Sequence, residues 1–306
     1  MHVIDLPRSV IASKGFRLKP PAVVLVLCLI SFLSLALLFT KIFPAQDSNG
    51  SRSLRESLNR AAFAEPDRKL GVPLLPDAQE FLKQIDSTCS VSWRDFYRPT
   101  NAKEIFDRSS ASFLLGVALG ECHLAIAAQD QQQLRNFSQD IPTHAKILGL
   151  NTIDFQYKLQ GNKADTNADW DKAKDCLRKL EKRFSSELLG QKDEDLLCLM
   201  ELGLWHRLLM IASRAAQEDE ACKDFQSVLG GNRLIILNGL EKRVTRLSPK
   251  VQETPWVQQM QNSLLRMDWL LSPRNASQSL GHKAVTDLSA ELNTLLQEVV
   301  LAAIRS

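Results

Sequence analysis

The chain has 306 residues, 44% of them hydrophobic and 24% charged, a balance that excludes a disordered chain and provides for a packed core. Four of the 38 basic residues and one of the 35 acidic ones fall in residues 1–20, so the remainder carries 34 of each and the formal charge of +3 belongs to one end. A domain without net charge lacks the electrostatic footprint that phosphate neutralisation requires, so no nucleic-acid partner is expected.

Residues 1–19 form a basic tail with Arg8, Lys14, Arg17 and Lys19. Residues 20–40, PPAVVLVLCLISFLSLALLFT, hold no charged side chain. At the helical rise these 21 residues reach about 31 Å, the thickness of a bilayer's hydrocarbon core, so they are expected to cross a membrane once. Positive charge flanking a span stays cytoplasmic, which places the N-terminus inside and the rest in a periplasm or its equivalent. The apolar run is longer than that of a cleaved signal peptide, and the nearest A-x-A match, Ala62-Phe63-Ala64, lies far beyond it. The expected location is the plasma (inner) membrane, with the segment acting as an uncleaved signal anchor.

Residues 41–75 read as a stalk, since Pro44, the Asp47–Ser51 polar run, Pro66, Gly71 and Pro73 punctuate them. From 76 to 306 the pattern is helical. Pro76-Asp77 opens a short amphipathic helix with Phe81, Leu82 and Ile85 on one side, followed by the aromatic turn Trp93–Tyr97, which fits a plug at the end of a core. Asn101 with Glu104 resembles a capping box for a helix running to about Ala128. Asp130 caps the next, which ends at Gly149 and should split near Asp140 because it contains Pro142. Trp170, Ala173, Leu177, Leu180, Phe184 and Leu188 recur at steps of three and four and stop before Gly190. Asp193–Ala216 is apolar nearly all round and belongs in the middle of the fold. Further helices are expected over Glu218–Leu229, Asn232–Leu247, Thr254–Leu271 and His282–Ile304. The fold class is all-α: an irregular multi-helix bundle, with solenoid-like helix pairs as the alternative, although no 34-residue recurrence is present.

Five cysteines lie beyond the span, Cys89, Cys122, Cys176, Cys198 and Cys222, without a CxxC pair. Their odd number leaves at least one thiol unpaired; most fit small buried apolar positions, and one disulfide with unassigned partners stays open.

Ser112, Gly116 and Gly120 recur every fourth residue within an apolar helix. Each mid-helix Gly costs about 1 kcal/mol relative to Ala, so the stripe implies close approach of another helix, within the fold or across a dimer contact. Glu121, Cys122 and His123 are consecutive, and neighbours on a helix point about 100° apart, so they do not form a ligand set such as H-E-x-x-H. His206 has Leu202, Leu209 and Met210 at the helical offsets and no local partner. Glu121, His123 and His206 therefore remain candidates for a site only through tertiary contacts. No G-x-S-x-G, P-loop or G-x-G-x-x-G occurs, and no cofactor or metal is implied. The expected function is non-catalytic: a single-pass membrane protein presenting a helical module that binds a protein partner or a copy of itself. The alternative is an enzyme or small-molecule binder whose site is assembled between helices.

Overall fold

Two helices, each buried on almost every side, run next to one another through the core of the helical domain. The computed structural model describes residues 66–89, 91–98, 107–152, 167–218, 228–229, 232–271 and 282–305. The tail, the 20–40 span, residues 41–65 and most of the helix expected over Glu218–Leu229 lie outside the described residues, as does the segment around 153–159. Among the described residues all regular structure is helical and there is no strand. In chain order the elements are α1 (Ala78–Thr88), a 3-10 turn (Trp93–Phe96), α2 (Arg108–Ala127), α3 (Gln131–Ser138), α4 (Asp140–Leu148), α5 (Asn167–Gly190) and α6 (Glu194–Glu218). They continue with α7 (Arg233–Arg246), α8 (Pro249–Gln252), α9 (Pro255–Leu271) and α10 (His282–Arg305).

The helix ends follow local chemistry. The Asp77 carboxylate accepts from the backbone N–H of Gln79 and Glu80 and starts α1. Asp130 accepts from Gln133 and starts α3. The chain breaks between α3 and α4 so that Pro142 falls in the first turn of α4, where a missing N–H costs nothing. Gly149 closes α4 with φ 73°, a left-handed conformation that glycine adopts without a Cβ clash.

The start of α2 differs from the capping box expected at Asn101. The N-cap is Asp107, with extended backbone and a carboxylate that accepts from Ser110 N at 2.6 Å. Residues 101–106 lie outside the described set. Residues 66–75, at the end of the expected stalk, pack against the helices. Leu70 is fully buried, Val72 and Asp67 are buried, and Leu75 packs on Gly239 of α7. Apolar side chains between the prolines anchor this segment, so Pro and Gly here mark turns on a folded surface.

α2 and α6 are each long and apolar enough to cross a membrane, yet 94% and 89% of their most apolar windows are buried within the fold. Protein covers them: α1, α3, α4, α5 and α10 pack on α2, while α1, α5, α7 and α10 pack on α6, and α9 joins α7 to α10. The pair runs in the same direction. Arg108 meets Asp193 at one end, Ser112 Oγ donates to the Leu196 carbonyl at 2.5 Å, Gly116 faces Met200 and Leu204, and Gly120 faces Arg207. A Cβ on Gly116 would lie 1.9 Å from the Met200 oxygen, so the two backbones touch. The Ser112–Gly116–Gly120 stripe thus lies against α6 of the same chain, and α6 answers with Gly203 against the Phe113 backbone.

Candidate functional site

The sequence candidates separate in space. His123 is buried and faces α1 and α5: the Gln79 amide nitrogen reaches its Nδ1 at 2.7 Å and its carbonyl oxygen at 3.1 Å, while Nε2 lies 2.5 Å from Glu181 Oε1. Because the amide donates to both atoms, Nδ1 accepts and Nε2–H donates to the carboxylate, which fixes one tautomer. Nearby, Asp77 takes a bidentate bond from Arg178. Burial opposes its charge, but Arg178 outweighs burial and holds the carboxyl below its ordinary value. His206 sits between α6 and α10 and donates from Nε2 to the Leu292 carbonyl at 3.0 Å. Burial lowers it to about 3, so the ring is neutral.

Two arginines are buried among the apolar side chains. Arg207 on α6 pairs with Glu121 on α2, Nε to Oε1 at 2.8 Å and NH2 to Oε2 at 3.0 Å, and it also donates to the Phe96 carbonyl. Arg243 on α7 donates to Glu201, Asp67 and the carbonyls of Pro73 and Gly239. Two carboxylates share this guanidinium. Burial first, then the Glu201 charge, push the Asp67 carboxyl up to about 7 against the pull of Arg243. Neither arginine carries a motif. Their only sequence signal is a charge at the buried phase of an apolar helix.

Glu121 differs from the two histidines in having an open side. It lines a cleft of about 610 Å³ bounded by α2, α4, α10 and the Tyr97-Arg98 segment. Leu114, Val117, Ala118 and Glu121, at helical spacing, are 6–8% exposed, whereas the other side chains from Ser110 to Ile126 are at 0–1%, so this row is the face of the middle of α2 that reaches solvent. α10 supplies the facing wall with Leu296, Val300, Leu301 and Ile304. Its other face, with Val285, Leu288, Leu292, Leu295 and Val299, is buried in the core.

The polar groups of the cleft are Tyr97, Arg98, Glu121, Asp140, His144, Arg214, Asn293 and Gln297. Arg214 donates to the Asp95 carbonyl and stacks on Phe96 at 5.2 Å. Glu121 is held by Arg207. Arg98 has no hydrogen bond or ion pair among the described residues, and burial, then the Arg207 charge, lower it to about 10. On α4, burial and then the Glu121 charge raise Asp140, and burial lowers His144 to about 4, with a buried Nδ1 that meets no partner. Among the described residues neither serine, cysteine nor lysine lines this cleft.

Cys122 and Cys198 are free and buried, and Cys176 is a half-buried thiol outside any disulfide. Burial, followed by the Glu121 charge, raises the Cys122 thiol well above its ordinary value, and burial, then Glu201, pushes Cys198 up to about 12. Such thiols are poor nucleophiles. Cys89 is disulfide-bonded. Among the described residues no three His, Cys, Asp or Glu side chains converge to hold a metal ion.

No protein-family model, no curated protein and no solved structure matches this chain.

Proposed function

We infer that the domain is a binding module held at the outer face of a plasma membrane by residues 20–40, and that the cleft is its binding site. The observation that carries this reading is a cleft of about 610 Å³ with aliphatic walls on two helices and a guanidinium, Arg98, that makes no hydrogen bond or ion pair among the described residues. Pockets that bury small ligands run from roughly 300 to 1,000 Å³ and combine apolar walls with a few convergent polar groups. The bonded state of Cys89 supports an oxidising compartment, and the charge asymmetry around the apolar run supports the same orientation.

A second reading, a protein-interaction or self-association module, draws on Leu265 and Trp269 of α9. They are one turn apart, 55% and 65% exposed, and give one face of α9 an apolar character. Photocrosslinking in native membranes separates the two. A photoreactive residue at Leu301 captures the ligand under the first reading, one at Leu265 captures a protein under the second, and one at Lys172 on α5 serves as control. Capture from Leu265 alone overturns the cleft reading. Protection of a C-terminal tag from an impermeant protease in intact cells, despite a permeabilised outer layer, overturns the orientation.

A further inference from the structure

We propose that the cleft binds an amphiphilic anion, a single acyl chain ending in a carboxylate, with the chain between the aliphatic rows of α2 and α10 and the head group on Arg98. This rests on the cleft being the binding site and names what it takes. The walls argue for a chain. Leu296, Val300 and Ile304 form an apolar row over about two turns of α10, and Leu114, Val117 and Ala118 face it over about one turn of α2. Leu301 and Ile304 leave 44% and 36% of their surface in water, and an acyl chain would cover what the fold leaves open.

The head group follows from charge. Arg98 lines the cleft with neither hydrogen bond nor ion pair among the described residues, whereas the other buried guanidinium nearby, Arg207, is taken by Glu121. A guanidinium withdrawn from water gains most from a planar anion that accepts two of its N–H groups. Glu121 and Asp140 line the same cleft, so a dianionic phosphate would meet two carboxylates, and a monoanion meets less repulsion there. Both considerations select a carboxylate. The cleft volume lies within the range that holds one drug-sized ligand, which favours one chain over two.

The test uses the full chain purified in amphipol and 11-(dansylamino)undecanoic acid, whose emission shifts on entering an apolar site. The expected result is saturable binding at one site, displaced by hexadecanoic acid and at least about tenfold less well by hexadecanol, because a charge-assisted hydrogen bond contributes more than a tenfold step in affinity. Arg98→Gln should weaken the probe by a similar factor. Leu301→Glu should abolish binding, and both variants should keep the wild-type circular dichroism and melting temperature; Ile304→Glu replaces Leu301→Glu if that variant is misfolded. Equal displacement by acid and alcohol, with an unchanged Arg98→Gln affinity, overturns the carboxylate assignment. Displacement by phosphatidylglycerol vesicles but not by hexadecanoic acid moves the ligand to a two-chain phospholipid and overturns it as well. If the probe does not bind while photocrosslinking from Leu301 in native membranes captures another molecule, the ligand class falls and the cleft remains a binding site. If neither occurs, both fall.

Discussion

Gly203 of α6 stands so close to Phe113 of α2 that a Cβ would lie 1.9 Å from the Phe113 carbonyl oxygen. Gly116 stands in the same relation to Met200, so each central helix lends the other a glycine. The obstacle in both cases is backbone, which cannot rotate away as a long side chain can. Gly116→Ala and Gly203→Ala should each force the helices apart. Overpacking of this kind costs about 1–3 kcal/mol, more than the roughly 1 kcal/mol gained from helix propensity. Gly190 ends α5 with nothing within 4 Å of its virtual Cβ, so Gly190→Ala is the control and should be neutral or stabilising. Urea unfolding of residues 61–306 compares the three. A stabilised Gly116→Ala variant would refute the close contact.

The Arg207–Glu121 pair is buried on both sides, with side-chain exposures of 0% and 8%. Removing one charge strands the other where water does not reach it. Glu121→Gln should therefore destabilise by about 3–5 kcal/mol, whereas the double replacement Glu121→Met with Arg207→Met should cost less than the single change. The midpoints of urea unfolding give the comparison. A double variant weaker than Glu121→Gln would mean that the Arg207 bond to the Phe96 carbonyl outweighs the ion pair.

Asp67 and Glu201 share Arg243, and the Asp67 carboxyl is raised to about 7 by burial and then by Glu201. A raised acid keeps its proton in the folded state over a range where the unfolded chain has released it. Its contribution to stability is full below the unfolded value of about 3.9 and is lost as pH rises through the folded value of about 7. His206 acts in the opposite sense: burial lowers it to about 3, so its contribution is present above its unfolded value of about 6.5 and is lost as pH falls. The raw stability profile mixes the two. The difference between wild type and Asp67→Asn isolates the first, and the wild-type advantage should decline between about pH 5 and pH 8. A difference that does not change with pH would place the Asp67 carboxyl in the ordinary range.

Most helices were legible because their periods and their ends agree. α5, α9 and α10 begin and stop within a residue or two of where capping residues, glycines and prolines bracket the apolar steps. The glycine stripe announced a close neighbour on α2, but spacing within one helix does not identify that neighbour, and Gly203 lies 83 positions beyond Gly120. Pro and Gly mark turns in linkers and on folded surfaces alike, and only tertiary contact, such as the burial of Leu70, distinguishes them. Arg207 and Arg243 offered one usable signal, a charge in register with apolar residues. The cleft offered less, since Arg98, Val117, Asp140 and Val300 come from four distant stretches. One hint was available on α10, where Leu296, Val300 and Ile304 form a second apolar row beside the one that enters the core.

The cysteines give the last prediction, since the described residues divide them into classes that a labelling experiment can count. Cys122 and Cys198 are free, buried and raised in pKa, so in the native protein they should react slowly with iodoacetamide, which consumes thiolate. Cys176 is a half-buried thiol and should react first. In denaturant without reductant all three should label, and Cys89 should not, because it is disulfide-bonded. Peptide mapping without reduction should recover Cys89 in a cross-linked peptide, and reductant should add two labelled sites. Labelling of Cys89 in protein isolated with thiols blocked at lysis would show that the bond is absent in the cell. That result would also remove the support the bond lends to an extracytoplasmic location, since oxidising compartments are where such bonds persist.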